Sequence, residues 1–252
     1  MAPAQGNTQH DRDLALRCPQ RESPAFCAIA TAAMLSSMKT LVEIWPPYGV
    51  SLIEGDLKMT VITDEDIPGL VDLALGGIHE PDQMPFATPW TAVEPQLLPA
   101  NMVRYYSSVR ASFRPEKFDL LFAVQIGGQL VGTQGLHTSD FAVTRTGETG
   151  SWLGRTFQGR GIGTRMRRAI CAFAFDHLGA VELTSSAFID NVASLAVSAK
   201  LGYRPNGLVR MVRGEGEVIV NQRLVLTPET FVRRRPIEVT GAEELRAFLK
   251  LG

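Results

Sequence analysis

The sequence predicts an α/β fold in which one mixed sheet carries helices on both faces. Two observations lead to this prediction. Strands follow one another at residues 118–126, 129–136 and 147–154, and Gly127-Gly128 joins the first two, a pair typical of a tight hairpin. From residue 161 onward helices and strands alternate, which is the arrangement that covers a sheet with helices.

The other elements follow from the spacing of apolar residues. Residues 57–62 alternate as a half-buried strand does, and Thr63 with Asp66 forms a capping pair for the next helix. Residues 161–178 change to a period of 3.6, with apolar residues on one face and arginines opposite. In chain order the predicted elements are strand 57–62, helices 63–75 and 99–112, strands 118–126, 129–136 and 147–154, helix 161–178, strand 180–186, helix 191–201, and strands 203–212 and 217–226.

Three parts of the chain differ in composition. Residues 1–55 have little periodicity and are predicted to be an N-terminal extension. Residues 56–235 hold the predicted elements, and residues 236–252 are a C-terminal tail with a short helix from Ala242. An apolar run at 24–35 is far shorter than the ~20 residues that span a bilayer, so we interpret it as part of a dispensable tail.

Charge and composition argue against some partners. The chain has 252 residues, of which 45% are hydrophobic, so it can bury a sizeable core. The formal net charge of −1 gives no electrostatic reason to expect nucleic acid or a membrane as partner. The arginines at 165, 167 and 168 are therefore interpreted as a solvated helix face rather than a nucleic-acid patch.

The cysteines predict a reducing compartment. Cys18, Cys27 and Cys171 are three in number and widely spaced, so they indicate neither a zinc site nor a disulfide framework. A cytoplasmic location fits this pattern best. Cys171 falls within a helical pattern and is expected to be a small core residue rather than a catalytic thiol.

A glycine-rich loop from Gln158 to Thr164 lies between a predicted strand and a long helix. Glycines at a helix N-terminus let backbone N–H groups converge on an anion, and the helix dipole adds positive potential there. The loop lacks the Gly-Lys-Ser/Thr ending of a Walker A loop and the third glycine of a Rossmann fingerprint. It is a candidate pyrophosphate site of another kind, and a ligand-free turn is the alternative.

Two motifs resemble those of GNAT acyltransferases. Gln158-x-x-Gly161-x-Gly163 resembles the Q/R-x-x-G-x-G/A pyrophosphate loop of that family, and the order of strands and helices is similar. Asn191-x-x-Ser194, followed by residues 200–203, resembles the N-x-x-S…K-x-G-F/Y ending of the ribosomal-protein-alanine N-acetyltransferase (RimJ/RimL-type) subgroup. Residues 79–90 resemble an actinobacterial branch that includes a member described as a succinyltransferase. The resemblance covers about residues 57–235.

The resemblance implies a mostly antiparallel sheet whose fourth and fifth strands splay apart, with the pantetheine arm of an acyl-CoA between them. Asn191 is implied as a contact to that arm, although it is also a good helix N-cap. Ser194 belongs to the implied site as well. The other implied CoA-binding residues are Trp152 and Leu153 on the fourth strand and Gln158, Gly159, Arg160, Gly161, Ile162, Gly163 and Thr164 in the loop.

The resemblance also implies catalytic roles. Ser194 would protonate or stabilise the departing CoA thiolate, and the chain has Ser198 where many family members have tyrosine. A backbone N–H near Leu153 would polarise the thioester carbonyl. Glu148 is the candidate general base because it lies on the strand that leads to the splay. Its rivals are Asp140, His79 and Glu80.

The implied function is that of an acyl-CoA-dependent N-acyltransferase. It would move an acetyl or succinyl group from acetyl-CoA or succinyl-CoA to the primary amine of a protein N-terminus or a small molecule. A succinyl donor would need a cation for its carboxylate, and Arg104, Arg110 and Arg145 are available. The alternative is a non-catalytic acyl-CoA-binding sensor. No metal is expected, and family analogy suggests a homodimer.

Overall fold

The computed structural model of the protein describes residues 38–213 and 216–252, and within them nine strands form one sheet. Its order is β7-β8-β6-β5-β4-β3-β2-β1-β9, and every neighbouring pair is antiparallel except β5 with β6. The predicted mixed sheet is therefore confirmed. The strands are β1 (Ser51–Glu54), β2 (Leu57–Val61), β3 (Asp119–Ile126), β4 (Gln129–Thr138), β5 (Thr146–Leu153), β6 (Glu182–Phe188), β7 (Arg204–Arg213), β8 (Glu217–Leu226) and β9 (Glu238–Thr240).

Helices cover both faces of this sheet, as predicted. The seven α-helices of the described residues are α1 (Leu41–Ile44), α2 (Ile67–Leu75), α3 (Leu98–Ser112), α4 (Phe141–Thr144), α5 (Ile162–Ala172), α6 (Val192–Leu201) and α7 (Ala242–Phe248). A π-helical turn, Phe173–His177, follows α5 directly. In the part of the chain that the structure describes, no helix is long and apolar enough to cross a membrane.

Two apolar clusters lie on opposite faces of the sheet, and β3 shows how they are separated. Leu120, Phe122 and Val124 join the larger cluster, which packs on α5, whereas Leu121 and Ala123 join the smaller one, which packs on α2 and α3. Because successive strand residues point to opposite faces, one buried strand supplies both clusters. Both faces of β3 are thus removed from water.

The sheet extends beyond the residues that the sequence indicated. β1 and β9 pair with each other at residues outside the predicted 56–235, and α7 buries Leu245 and Leu249 in the larger cluster. These strands have four and three residues, so they carry too little alternation to be recognised alone. Residues Leu41–Gly252 form one compact unit. The apolar run at 24–35, Cys18 and Cys27 lie outside the described residues.

Strands β5 and β6 are paired over only three positions, from Thr146 opposite Glu182 to Glu148 opposite Thr184. Beyond that point β5 continues along β4 to Leu153, while β6 continues along β8 to Phe188. The two strands, which are the predicted fourth and fifth, therefore part as expected. We call the gap between residues 149–153 and 185–188 the wedge.

Candidate functional site

The glycine loop lies at the open end of the wedge. Gly159 and Gly161 have φ angles of +72° and +79°, a left-handed conformation that suits glycine, and Gly161 caps α5. Within the described chain, none of the backbone N–H groups from Gly159 to Thr164 donates to a protein acceptor. Consecutive free N–H groups at the positive end of a helix form an anion site. The loop therefore has the backbone arrangement of an anion site.

Gln158 holds the loop against the end of β5. Its side-chain amide donates to the carbonyl oxygens of Ile78 at 2.6 Å and Leu153 at 2.9 Å. The side-chain NH₂ group is thus already bonded within the protein. Arg160 is exposed and lies 5.9 Å from the Phe157 ring, while Arg155 pairs with Glu80 at 3.1 Å.

The free edge of β5 presents backbone groups to the wedge. The Thr149 carbonyl accepts from the Ser185 hydroxyl at 3.2 Å, so it points toward β6. Since alternate residues of a strand address opposite neighbours, Ser151 and Leu153 also point their N–H groups into the wedge. The carbonyl of Trp152, between them, faces Gly132 of β4, as this alternation requires. A thioester in the wedge would meet two aligned donors.

The Trp152 side chain lies on the face of the sheet that carries α2 and α3, and its ring is the last in a row of aromatic rings. Its ring centroid is 5.7 Å from that of Trp90, which is 5.3 Å from Phe86. Both partners belong to the proline-rich loop at residues 79–90. The loop therefore forms a wall beside β5 on the α2 and α3 side, where an acceptor would approach.

Asn191 and Ser194 lie at the start of α6. Asn191 Oδ1 accepts from the Ser194 backbone N–H at 3.1 Å, so Asn191 is a helix N-cap, and in the described part of the chain its NH₂ group has no protein acceptor. Among the described residues the half-buried Ser194 hydroxyl has no hydrogen-bond partner. The Ser198 hydroxyl is fully buried and donates to the Ser194 carbonyl at 3.0 Å. Of the two serines, Ser194 is the one with a free hydroxyl.

Arg167 corrects the expectation of a solvated arginine face. It is 4% exposed, and its guanidinium donates to the hydroxyls of Ser151 and Ser198, each at 3.0 Å, and to Ser185 at 3.5 Å. In residues 38–213 and 216–252 it has no carboxylate within ion-pair distance. The periodicity of α5 missed this because the helix is covered by α6 as well as by the sheet, so its buried face is wider than one stripe.

Arg168, the next residue, is buried in a different environment. It is 7% exposed and lies 4.0 Å from the Glu54 carboxylate. Burial lowers the pKa of Arg168, and the charge of Glu54 opposes that shift. Two adjacent buried arginines therefore have different counter-groups, a carboxylate for one and three hydroxyls for the other.

A row of ionisable groups crosses the sheet on the face that carries α2 and α3. Glu148 of β5 is directly opposite His137 of β4, and His137 is opposite Asp119 of β3. His137 Nδ1 lies 3.3 Å from Asp119 Oδ1, and a methyl group placed on Gly150 would lie 3.5 Å from His137 Nε2. The imidazole thus reaches along β5 toward the wedge. Sequence reasoning did not identify His137 or Asp119.

The rivals of Glu148 are placed away from the wedge or are already bonded. His79 has both ring nitrogens occupied, Nδ1 by the Glu80 carbonyl at 2.8 Å and Nε2 by the Thr91 hydroxyl at 2.7 Å. The Glu80 carboxylate pairs with Arg155. Asp140 follows the end of β4 that pairs with Gly147, whereas the wedge opens at the other end of that strand pair. Glu148 itself accepts from the Ser186 hydroxyl at 3.4 Å.

The arginines considered for a succinyl carboxylate have partners elsewhere. Arg104 donates to Asn101 on its own helix, and Arg110 donates to Asp64 and Tyr48. Arg145 donates to the Leu178 carbonyl beyond the C-terminus of α5. None of these contacts involves a wedge residue.

Cys171 belongs to the core, as predicted, and Tyr203 lies beside it. Cys171 is fully buried, and burial raises its pKa to about 11. The Tyr203 hydroxyl lies 3.5 Å from Cys171 Sγ and 2.8 Å from Thr149 Oγ1, and burial raises its pKa as well. Across the described residues, no group of three or more His, Cys, Asp or Glu side chains is arranged to hold a metal ion.

The family described as "Acetyltransferase (GNAT) domain" matches residues 56–204 of the 252. This match includes the glycine loop, the wedge strands and α6. The chain belongs to the GNAT acetyltransferase family. The motifs in the loop and in α6 are thus found in a GNAT chain, on the elements predicted for them.

Named relatives of this GNAT chain include "Putative ribosomal N-acetyltransferase YdaF" of Bacillus subtilis (strain 168). It is 29% identical over 116 residues, which are 44% of this chain and 62% of the relative's length. Similar solved structures include Mycobacterium smegmatis RimJ in complex with CoA-disulfide, with a TM-score of 0.64, 19% identity, and coverage of 81% of this chain and 95% of that one. A RimL ribosomal L7/L12 alpha-N-protein acetyltransferase in complex with CoA has a TM-score of 0.57, 15% identity, and coverage of 69% and 96%. These structures support the GNAT fold.

Proposed function

We propose that the protein is an acyl-CoA-dependent N-acyltransferase that moves an acetyl group from acetyl-CoA to a primary amine. The observation that carries this proposal is the run of free N–H groups from Gly159 to Thr164 at the open end of the wedge. A CoA molecule bound there places its pyrophosphate on the loop and its pantetheine arm along the free edge of β5. Asn191 donates its NH₂ group to that arm.

The reaction is direct transfer. The amine nitrogen attacks the thioester carbonyl carbon, the C–S bond breaks, and its electron pair leaves on sulfur. The N–H groups of Ser151 and Leu153 stabilise the oxyanion that forms meanwhile. Ser194, with its free hydroxyl, relays a proton from water to the thiolate, so the serine ends the step with its own proton restored.

The proton released by the attacking amine goes to the acceptor side of β5. His137 Nε2 lies above Gly150, one residue from Ser151, whereas Glu148 is three residues from Ser151, about 10 Å along a strand. We therefore propose that His137, oriented by Asp119, accepts this proton. Glu148, the base proposed from the sequence, lies beside it as a charge that stabilises the imidazolium.

An acetyl donor is favoured over a succinyl donor. A succinyl group carries a carboxylate that needs a charged or multiple hydrogen-bond partner when it is desolvated. The three arginines proposed for that carboxylate are bonded elsewhere. A small neutral acyl group asks for no such partner.

The acceptor we propose is the N-terminal amine of a protein. The named relatives support this choice, since YdaF is described as a ribosomal N-acetyltransferase and RimL as an alpha-N-protein acetyltransferase. The aromatic wall of Phe86, Trp90 and Trp152 offers an apolar surface beside the β5 edge for the first side chains of such a peptide. We place the reaction in the cytoplasm, as the cysteine pattern suggests.

A homodimer is also proposed. Strand β7 is an edge of the sheet, is ten residues long and is largely exposed. Leu208 and Val212 on β7 and Val218 on β8 are exposed as well. A long edge strand with apolar side chains is a surface that a second copy covers by a self-complementary contact. Light scattering of the purified chain checks this directly.

Thermal unfolding with CoA, acetyl-CoA and succinyl-CoA tests the donor site. A ligand at a hundred times its Kd adds about 2.7 kcal/mol, which raises the Tm of a chain of this size by roughly 5–10 °C. We expect shifts with CoA and acetyl-CoA, and release of CoA when acetyl-CoA is mixed with a panel of N-terminal peptides. No shift with any of the three contradicts the CoA site. Tight binding without CoA release from any amine supports the acyl-CoA sensor instead.

A further inference from the structure

Arg167 is a buried cation without a buried anion beside it. Its guanidinium touches Ser151, Ser185 and Ser198, and its Nε has no partner in the described part of the chain. Taking a charge out of water is costly, and hydroxyl dipoles compensate for it less well than an opposite charge does. The neighbouring Arg168 has the usual solution, because Glu54 accompanies it. The environment of Arg167 lacks one negative charge.

The three serines show where a compensating negative charge would have to lie. Ser185 on β6 is one residue past the last paired position of that strand, and Ser151 on β5 is three residues past it. Ser198 is on α6, one helical turn beyond Ser194. The guanidinium therefore spans the closed end of the wedge, on the side of α6. In the proposed reaction the sulfur of CoA arrives at this end, between the Ser151 N–H and the Ser194 hydroxyl.

We propose that Arg167 stabilises the departing CoA thiolate. This inference rests on the proposed acyl transfer. When the amine nitrogen bonds to the carbonyl carbon and the C–S bond breaks, the electron pair on sulfur becomes the negative charge that the site of Arg167 lacks. The charge of Arg167 is present before the reaction, so no group has to reorganise at that moment. A proton relayed from water through the Ser194 hydroxyl then turns the thiolate into the thiol.

A purely structural tie between the two strands is the competing explanation, and it makes a different prediction. A tie holds the wedge open whatever the ligand's charge, so it leaves the acidity of a bound thiol unchanged. A thiolate partner within about 4–6 Å of the sulfur lowers the thiol's pKa by about 1–3 units from the 8.5 of a free alkyl thiol. A third explanation, that Arg167 binds the carboxylate of a succinyl group, predicts a preference between donors.

The test is a titration of the thiol of bound CoA. Thiolate formation is followed by ultraviolet absorbance in the complex of the full chain with CoA, and the complex with desulfo-CoA serves as the blank for protein groups. The variants are Arg167→Met and Arg167→Lys. The matched control is the double variant Glu54→Gln/Arg168→Met, which removes the neighbouring buried pair together and so leaves no unpaired charge.

We expect the bound thiol of the wild type and of the control to titrate at least one pH unit below free CoA. Arg167→Met abolishes the shift and lowers kcat about tenfold or more with a smaller change in KM for acetyl-CoA, and Arg167→Lys retains part of the shift. An unshifted thiol in the wild type overturns the proposal, even if Arg167→Met does not fold. Equal pKa values of the bound thiol in the wild type and in Arg167→Met also overturn it. If the thiol pKa is unchanged in Arg167→Met but a preference for succinyl-CoA is lost, Arg167 binds the acyl group instead. Failure of the wild type to bind CoA overturns the proposed function itself.

Discussion

The two sides of strand β5 are built in different ways. Toward β6, the proposed donor side consists largely of backbone, namely the N–H groups of the glycine loop and of Ser151 and Leu153, with the side chains of Asn191 and Ser194 added at the start of α6. Toward α2 and α3, the acceptor side consists of side chains from three strands and a long loop, among them Trp90, His137 and Glu148. A site made from backbone depends on a short local motif, whereas a site made from side chains depends on the register of the whole sheet.

The largest loss of activity is expected on the acceptor side, when the proposed general base His137 is replaced. A positioned base contributes about 10²–10⁴-fold, so His137→Gln should lower kcat at least about 100-fold. Glu148→Gln should lower it less, because the Glu148 carboxylate is farther from Ser151 than His137 Nε2 is. Both variants should bind CoA nearly as the wild type does, since neither substitution changes the backbone N–H groups of the glycine loop or of Ser151 and Leu153. Steady-state kinetics with acetyl-CoA and a peptide acceptor measure this.

Two controls keep that prediction sharp. Asp140→Asn changes a carboxylate at the far end of the same strand pair and should leave kcat within about twofold. Added imidazole should restore part of the rate of His137→Ala, because Gly135 and Gly150 leave a hollow where the ring lies. If Glu148→Gln loses more activity than His137→Gln, the roles we assign to the two residues are reversed.

A smaller effect is expected on the donor side from Gly161→Val. The φ of +79° at Gly161 costs a side-chain-bearing residue about 1–2 kcal/mol, and relaxing that strain moves the N–H groups of the loop. The Kd for CoA should rise about fivefold to thirtyfold. Gly128→Val is the matched control, because Gly128 has a φ of +84° in the hairpin turn between β3 and β4, where an added Cβ meets nothing within 4 Å. Equal losses of CoA affinity in both variants would refute the loop as the binding site.

The positions of the donor-side motifs in the fold were predictable because their signals are local, whereas their contact with CoA stays a prediction. Gln158 to Thr164 forms a contiguous motif between a strand and a helix, and two glycines in it have left-handed backbone. Asn191 and Ser194 are three residues apart on one helix start, so a cap and a free hydroxyl follow from spacing alone. Nothing in these features depends on which strands are neighbours.

The acceptor side was not predictable because a β-bulge changes the register. The Gly127-Gly128 turn sets Ile126 opposite Gln129, and continuing that pairing would place Asp119 opposite Leu136. The register shifts by one residue between Val124 and Gln125, which brings Asp119 opposite His137 instead. A single inserted residue thus creates the Asp119–His137 pair, and no local sequence pattern predicts this insertion. Arg167 was missed for a related reason, since its burial depends on α6 covering α5.

The two serines of α6 give a further, smaller contrast. Ser194→Ala removes the free hydroxyl that we assign to thiolate protonation and should lower kcat about tenfold, the cost of one hydrogen bond to a charged group. Ser198→Ala removes a buried acceptor of Arg167 and should lower the free energy of unfolding by about 1–3 kcal/mol. Kinetics and denaturant unfolding of both variants distinguish the roles. A larger kcat loss in Ser198→Ala would move the acid role to that residue.

The smallest effect is expected from Trp90→Ala, which tests the aromatic wall. Trp90 contacts the rings of Phe86 and Trp152, and an aromatic contact of this kind is worth about 0.5–1.5 kcal/mol beyond the buried area. The KM for a peptide acceptor should therefore rise about fivefold, while the Kd for CoA stays the same because the backbone edge of β5 is intact. Trp90→Phe keeps the stacking and should behave nearly as the wild type. A rise in the CoA Kd instead would mean that the two sides of β5 are mechanically linked, so that the acceptor wall also holds the donor edge in place.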